Sequence, residues 1–377
     1  MNNRLLAKVL LYLKKLVQLS TLLSVTSILA AGLLMTACGG GGGGGGSSNA
    51  PAASSPISTG GTTSSTGPFV YTANIPTKAL VGGSISIIDV STNKVAGTIP
   101  LTFNPETVAV NSAGTRLYVA DMLGNQIVVF DAATKTQIAV ITVVAKPNLI
   151  AINPAGTRMY VSGLLNNTIS VIDAATNTVT TNITVTGLAA GFSQIQGMVV
   201  NPAGTSLYVA AGTSIVPSLT VIDTATNTIT GNVPLSVASD VPMGGLAVTP
   251  DGARIYMPGI GSLVVIDATT NTFITAIDTG VGILPVKTGV SVNSAATRVY
   301  MTDTSTGLVS VIDATTNLLI TTVAVSNPSG VVFSPTGTSA YVSSGDLTSG
   351  SVAVFDTATN AVTSSIVIDG SPVAIAK

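Results

Sequence analysis

Short apolar segments alternate with short polar turns from about residue 69 to the end of the chain, and the same order returns seven times. One unit contains Leu149-Ile-Ala-Ile152, the turn Asn153-Pro-Ala-Gly-Thr157 and then Arg158-Met-Tyr-Val161. A third apolar segment ends at an Asp, and a fourth alternates Thr with branched apolar residues. Segments of this length and composition, bounded by turn residues, are typical of β-strands. The pattern therefore predicts four strands per unit, the fourth being an outer edge with one wet face.

The length of the unit indicates the architecture. An Asp ends the third strand of every unit: Asp89, Asp131, Asp173, Asp223, Asp267, Asp313 and Asp356. Successive members are 42 to 50 residues apart, a period typical of four-stranded propeller blades and too long for most leucine-rich or helical repeats. We therefore predict an all-β fold, a seven-bladed β-propeller of four-stranded blades, over residues 69–377.

The two ends of the repeat region complement each other. Ser371-Pro-Val-Ala-Ile-Ala-Lys377 is a first strand with no second strand after it, and Phe69-Val-Tyr-Thr72 is a second strand with no first. We predict that the C-terminal strand joins the N-terminal blade, with Val373 near Tyr71, and so removes both open sheet edges. The middle of each first strand is small, as crowding at a propeller axis requires. Those positions are Ala109, Ala151, Val199, Ala247, Ser291, Val332 and Ala374.

The Asp that ends each third strand is expected to organise the turn after it. Its carboxylate can accept hydrogen bonds from the amides two and three residues later. Six units place an Asn four residues after the Asp, where a left-handed backbone is expected, and Lys135 takes that place in the remaining unit. Metal binding by these Asp residues is the alternative. We favour the turn, because every blade uses the Asp in the same way.

The repeat resembles the YVTN family of seven-bladed propellers, which is similar to the lactonase-like propellers. The resemblance covers about residues 69–377 and rests on the Val-Ile-Asp strand end, the Asn-Pro-Ala-Gly-Thr turn and the Tyr-Val strand. That strand occurs at Tyr118-Val119, Tyr160-Val161, Tyr208-Val209 and Tyr341-Val342. The literal Tyr-Val-Thr-Asn tetrad is absent, and Tyr118-Val-Ala-Asp121 is one of its substitutes. The resemblance implies the propeller fold and admits a lactonase-like hydrolase with its site at the axial opening.

The N-terminal region reads as an export signal. Four basic residues, Arg4, Lys8, Lys14 and Lys15, precede an uncharged stretch over residues 16–37. This stretch ends in Leu34-Met-Thr-Ala-Cys38, which resembles a bacterial lipobox, in which the Cys is lipidated and becomes the mature N-terminus. We predict a lipoprotein signal peptide over residues 1–37 and lipidation of Cys38, the only cysteine. The alternative is an uncleaved membrane helix, which Gln18 and several Ser and Thr disfavour.

Residues 38–68 are predicted to be a flexible linker after the lipidated Cys. Eight consecutive Gly are followed by a Ser/Ala/Pro/Thr-rich run, a composition that cannot bury enough surface to fold. About thirty such residues reach roughly 30 Å on average and about 100 Å when fully stretched. The expected location is an exported, membrane-anchored lipoprotein on the periplasmic or cell-surface side. Gly39, in place of Asp after the Cys, resembles lipoproteins sent to the outer membrane.

Charge and residue types exclude several functions. After residue 37 the chain has ten basic and fifteen acidic residues, and no basic stripe supports nucleic-acid binding. Four Arg recur at the start of second strands, where we expect them to be solvated: Arg116, Arg158, Arg254 and Arg298. The chain has no His, and Glu106 is its only Glu, which removes Ser-His-Asp triads and His-ligated metals. We predict no catalytic, metal or cofactor-binding residue and no cofactor, and we do not favour an enzyme.

The connections between first and second strands, and between third and fourth strands, are uniformly short. The other two sets of loops vary in length and all lie on one side of the predicted ring, where recognition is expected. Candidate ligand contacts there are Lys78, Phe103, Glu106, Asp121, Lys146, Phe192, Asp240, Lys287, Asp303 and Asp346. The alternative is that these are ordinary solvated loop residues.

Two classes of function remain. We favour an interaction module of the cell envelope that binds a protein or polymer partner through this side of the ring. The second class is the lactonase-like hydrolase. Polysaccharide binding is a weaker version of the first class, because the tyrosines after residue 37 all belong to repeat strands, which leaves few stacking platforms.

Overall fold

The computed structural model describes residues 68–77, 82–143, 146–164, 166–186, 194–212, 217–235, 244–280, 288–346 and 349–377. The regular secondary structure of these residues consists of β-strands. None of the described residues belongs to a helix long and apolar enough to cross a membrane. The strands are β1 (Phe69–Ile75), β2 (Ser84–Asp89), β3 (Lys94–Pro100), β4 (Pro105–Val110), β5 (Arg116–Asp121), β6 (Gln126–Asp131), β7 (Gln137–Thr142), β8 (Pro147–Ile152), β9 (Arg158–Gly163), β10 (Thr168–Asp173), β11 (Thr178–Thr184), β12 (Gln194–Val200), β13 (Ser206–Gly212), β14 (Pro217–Asp223), β15 (Thr228–Pro234), β16 (Ala247–Val248), β17 (Arg254–Gly259), β18 (Ser262–Asp267), β19 (Thr272–Asp278), β20 (Val290–Val292), β21 (Arg298–Asp303), β22 (Leu308–Asp313), β23 (Leu318–Ala324), β24 (Pro328–Phe333), β25 (Ser339–Gly345), β26 (Gly350–Asp356), β27 (Ala361–Ile368) and β28 (Ser371–Ala376).

The strands form seven antiparallel sheets of four. Blade 1 has the order β28-β1-β2-β3, and blades 2 to 7 are β4–β7, β8–β11, β12–β15, β16–β19, β20–β23 and β24–β27. The buried apolar side chains of the described residues form seven clusters, and each cluster joins two successive blades. The last joins blade 7 to blade 1 through Tyr341, Val352 and Ile88. The blades therefore form a closed ring, and the predicted seven-bladed propeller is confirmed.

Burial changes from the axis to the rim. The second and third strands are almost fully buried, as in Leu117–Ala120 of β5 and Ile127–Phe130 of β6, because neighbouring blades cover both faces of the sheet. The first strands are only half-buried, so they border an axial channel. The fourth strands are mostly exposed and form the rim. The core of the ring thus consists of the two middle strands of every blade.

The C-terminal strand closes blade 1, but in a register two residues from the predicted one. Tyr71 pairs with Ala376, whereas Ala374 pairs with Ala73, and a bulge follows at Asn74. In the other blades the tyrosine of the second strand pairs with the small residue in the middle of the first strand, as Tyr160 pairs with Ala151. Ala376 therefore holds the place assigned to Ala374 from the sequence. Val373 packs against the large cluster that contains Tyr71, but Ala376 and not Val373 lies opposite that tyrosine, so this part of the prediction was wrong.

The Asp residues that end the third strands organise their turns as predicted. Asp173 accepts hydrogen bonds at Oδ1 from the amides of Ala175 (2.9 Å) and Thr176 (2.8 Å), and all seven turns share this pattern. The six Asn and Lys135 have φ between 53° and 60°. These Asp carboxylates are therefore hydrogen-bonded within their own turns.

The Arg at the start of the second strands were expected to be solvated, and for three of the four this was wrong. Their Nη1 atoms donate to a carbonyl oxygen of the next blade, just after its Asp. The pairs are Arg116 with Ala174, Arg158 with Thr224 and Arg254 with Ala314. Arg298 instead contacts its own blade, at Thr297 O and Asp313. A guanidinium is long enough to bridge two blades, and a repeat pattern does not reveal such a partner.

The tyrosines of the second strands make a second set of contacts between blades. Four donate from Oη to the Asp turn of the following blade. They are Tyr208 to Ala268 O, Tyr256 to Ala314 O, Tyr300 to Asn360 Oδ1 and Tyr341 to Asn93 Oδ1. Burial raises the pKa of Tyr300 to about 12. The repeated Tyr is therefore a core residue with a polar end that holds the neighbouring turn.

Candidate functional site

The ring has two unlike faces. We call turn face the side with the short turns, such as Asn111–Thr115 and Asp131–Lys135, and loop face the opposite side, where second strands end and first strands begin. Pro68, which precedes β1, lies on the turn face, because its carbonyl oxygen accepts the N–H of Val90 at 3.2 Å. Six of the candidate contacts predicted from the sequence lie within the described residues, and all six belong to the loop face: Phe103, Glu106, Asp121, Lys146, Asp303 and Asp346.

The acidic candidates on the loops shape those loops. Asp121 is buried at the end of β5, and its carboxylate accepts from the amide of Gly124 (2.8 Å) and from Gln126 Nε2 (2.9 Å). Asp303 is 1% exposed at the end of β21 and accepts from the amide and hydroxyl of Ser305. The exposed Asp346 accepts from the Ser349 amide. These three acids belong to three different blades, so the structure does not bring them together as one acidic centre.

Phe103 and Lys146 differ in exposure. Phe103 is half-buried and packs against the cluster between blades 1 and 2. Lys146 is exposed, has φ 56°, and its amide donates to Asn125 Oδ1 at 2.7 Å while its carbonyl accepts the amide of Leu164. The backbone of Lys146 is therefore fixed between the loops of blades 2 and 3, with its side chain on the surface. Lys78, Phe192, Asp240 and Lys287 lie outside the described residues, as does Cys38.

The loop-face mouth of the axial channel is uneven around the ring. In blades 4 to 6 a glycine in the first strand or just before it (Gly197, Gly244 or Gly289) adjoins the backbone of the next blade. A Cβ at Gly197 would lie 2.6 Å from Gly244 O, and one at Gly289 would lie 2.7 Å from Gly330 Cα. These positions leave no room for side chains. These glycines were not among the residues predicted to matter from the sequence, although they precede the apolar residues of the first strands.

Blades 2 and 3 carry side chains at the corresponding positions. Glu106 and Thr107 of β4, and Asn148 and Leu149 of β8, are all half-buried. Glu106, Thr107 and Asn148 thus lie where blade 2 meets blade 3, close in sequence to the exposed Lys146, while blades 4 and 7 have the half-buried Gln196 and Ser329 at the position of Glu106 and Asn148. This corner offers one carboxylate, one amide, one hydroxyl and one ammonium group, a set suited to hydrogen-bonded recognition of a polar ligand.

The opposite end of the channel carries Lys377. Its side chain is exposed at the end of β28, yet crowding by the surrounding strands lowers its pKa. Between the two ends the half-buried channel residues are mostly apolar, such as Ile150, Val292 and Ile375. Among the described parts of the chain, no three His, Cys, Asp or Glu side chains group as a metal site would need.

Comparison with known proteins supports the fold. The chain is similar to the solved structure of hydrazine synthase from Kuenenia stuttgartiensis, with a TM-score of 0.63 and 21% identity over 73% of this chain and 90% of that one. It is also similar to the dihydro-heme d1 dehydrogenase NirN in complex with DHE, with a TM-score of 0.58 and 14% identity over 81% of this chain and 74% of that one. No protein-family model and no curated protein matches the chain. The class defined by fold and comparisons is the β-propeller.

Proposed function

We propose that this protein is an exported lipoprotein, anchored through Cys38, whose propeller binds a protein or polymer partner of the cell envelope at the loop face. The resemblance to the YVTN propellers belongs to the same proposal. A propeller is compatible with a binding module, since its rigid blades carry loops of variable length on one face. The basic residues before residue 16 and the segment that ends in Cys38 support export and anchoring, with the outer membrane as the expected location.

The observation that carries the proposal is the position of Pro68 on the turn face. A linker that leaves the ring there reaches the lipid from the side opposite the variable loops. The loop face, with Lys146 and the corner that contains Glu106 and Asn148, is therefore not the face at which the linker begins. Such a disc would present to the envelope the surface whose residues vary most between blades.

The first experiment tests the anchor. Cells that express the full chain are fed a labelled fatty acid, and the chain is isolated. We expect label on the wild-type protein and none on Cys38→Ser, because the thiol is the acylation site. Equal labelling of both chains would remove the anchor from the proposal.

The second experiment tests the recognition surface with two exposed lysines on opposite faces. The full chain captures partners from envelope extracts, and binding of the purified partner is titrated for saturation and stoichiometry. Lys146→Asp on the loop face should weaken binding by about tenfold or more if this lysine contacts the partner. Lys94→Asp, at the start of β3 on the turn face, is the matched control and should leave binding unchanged. A larger effect of Lys94→Asp would contradict the assignment of the faces.

The second candidate is a hydrolase of the lactonase-like kind. The half-buried Glu106 is the one acidic residue on a described first strand, and it favours this candidate because it stands at the axial opening. A panel of lactones, assayed with and without divalent metal, tests it. Turnover by the wild-type chain that is lost in Glu106→Gln would support the hydrolase, and no turnover would leave the binding module.

A further inference from the structure

The rim of the ring carries one concentrated apolar patch. Five side chains on the outer strands β19 and β23 of the adjacent blades 5 and 6 are large, apolar and exposed. This apolar rim patch consists of Phe273 (44% exposed), Ile274 (42%), Leu318 (65%), Leu319 (38%) and Ile320 (42%). Single exposed apolar residues are normal, whereas a contiguous group on neighbouring elements marks an interaction surface.

The other blades show that the repeat does not require this patch. At the position of Ile274 and Ile320, blades 3, 4 and 7 have a Thr whose hydroxyl donates to a carbonyl of the third strand. These are Thr180 to Val171 O (3.1 Å), Thr230 to Val221 O (3.3 Å) and Thr363 to Val354 O (3.1 Å). Blades 5 and 6 replace this internal hydrogen bond with an exposed Ile, as blade 2 does with Ile138 (47% exposed), but only blades 5 and 6 are adjacent. At the repeat position of Leu318, five residues after the Asp, blades 2 to 5 have Thr and blade 1 has Lys.

The outer strand of blade 1 carries features that discourage association. Blade 1 has Lys94 and Pro100 on β3, and Lys135 of blade 2 reaches over Gly97 of the same strand. Lysines and prolines on edge strands oppose pairing with another chain. Strand β23 contains no ionisable residue and no Pro, as is also true of β7, β11 and β27, and β19 has only Asp278 at its end. Two copies of β23 can therefore approach without repulsion between like charges.

We infer that the apolar rim patch is the contact between two copies of this chain that stand side by side on one lipid surface. This inference rests on the proposed anchor. Anchoring concentrates copies of the chain on one lipid surface, where discs that share an orientation meet rim to rim. A two-fold axis parallel to the ring axis then places blade 5 of each copy against blade 6 of the other, which buries Phe273 and Leu318 together. Both loop faces stay accessible for recognition.

The test is site-specific photocrosslinking of the full chain in the membrane of the cells that express it. The photoreactive amino acid p-benzoylphenylalanine replaces Phe273, an aromatic residue of similar shape. The matched control places it at Val362, which holds the same repeat position in blade 7 and is 42% exposed. Adducts are identified by mass and by peptide mapping. We expect a covalent dimer from position 273, linked to residues 318–320 of the second copy, and little from position 362.

A second variant separates contact from chance collision. Leu318→Thr with Ile320→Thr installs the residue that other blades carry at these positions, so the melting temperature should stay within about 2 °C. Removal of the central aliphatic side chains should lower the dimer adduct by about tenfold or more. An adduct to lipid or to another protein, equal yields from positions 273 and 362, or a dimer yield that the double variant leaves unchanged would each overturn the inference.

The interface and the anchor can fail separately. The same photocrosslinking is repeated on the purified full chain in detergent at tens of micromolar. A dimer adduct from position 273 there, together with absent acyl labelling, would retain the interface and reject the anchor. Acyl labelling without any dimer adduct, in membrane or in detergent, would retain the anchor and reject the interface.

Discussion

The hydroxyl groups of two buried tyrosines should contribute unequally to stability, although they hold the same repeat position. Tyr341 Oη donates to Asn93 Oδ1 at 2.7 Å across the junction of blades 7 and 1. Tyr118 is equally buried, but its Oη has no hydrogen-bond partner. The substitutions Tyr341→Phe and Tyr118→Phe remove the same atom from two such environments.

The expected magnitudes follow from these contacts. Loss of the Tyr341 hydroxyl removes the donor that Asn93 Oδ1 shares with the more distant Val90 O (3.3 Å), and leaves the half-buried amide oxygen of Asn93 without it. The cost is about 1 to 2 kcal/mol. Loss of the Tyr118 hydroxyl removes a buried polar group that gains nothing from the fold, so its effect is about zero or slightly stabilising. The two variants should therefore differ by about 1 to 2 kcal/mol in the free energy of unfolding.

Calorimetric melting of the full chain measures this difference. With about 2 to 4 °C per kcal/mol for a domain somewhat smaller than this ring, Tyr341→Phe should melt a few degrees below Tyr118→Phe. Calorimetry is suitable because it needs no prior assumption that the ring melts in one step. Equal melting temperatures, or a lower one for Tyr118→Phe, would refute the assignment of the hydroxyl contacts.

Three further outcomes follow from the turns and from the contacts between blades. Hydrogen bonds from the Thr269 and Thr315 hydroxyls lower the pKa of Asp267 and of Asp313 to about 2, from 3.8. The stability that these two lowered pKa values contribute is complete above about pH 4 and is lost as the pH falls towards 2. An acid titration followed by circular dichroism should show this loss of stability, and constant stability over that range would contradict it. Burial raises the pKa of Tyr300 to about 12, so stability should fall as the pH rises from about 10 to 12, and the tyrosinate absorbance should appear later than in the unfolded chain. Arg116→Met should cost about 1 kcal/mol through its lost bond to the next blade, whereas Arg298→Met should cost less, because its ion pair with Asp313 is within one blade and partly solvated; urea unfolding compares the two, and a greater loss for Arg298→Met would refute the role of the Arg bridges.

The sequence predicted what every blade repeats. The spacing of the Asp residues gave the number of sheets, and the left-handed Asn positions, with Lys135 as the exception, followed from local turn chemistry. The register of β28 was assigned two residues away, because Pro372 and not Gly370 corresponds to Pro147 in the first strand of blade 3. The reach of an Arg into the next blade depends on how two sheets pack, which no pattern within one unit contains.

The candidate site was less accessible from sequence than the fold. The residues of the loop face differ from blade to blade, so no comparison between units shows whether Asp121 or Asp303 is occupied by its own loop. Only the structure places Glu106 and Asn148 at one corner of the channel mouth. The apolar rim patch was missed for a related reason, because an exposed Ile and a buried Ile look alike in a strand pattern.

Both faces and the rim are defined by the closure of the ring through β28, and deletion of residues 371–377 tests that closure most directly. The truncation removes the strand that pairs with β1 and that packs between blades 7 and 2, while deletion of Lys377 alone is the matched control. We predict that the truncated chain melts at least about 10 °C lower, across the entire ring, because a full set of strand hydrogen bonds and apolar contacts is lost. A cooperative transition at the wild-type temperature after the truncation would contradict the account.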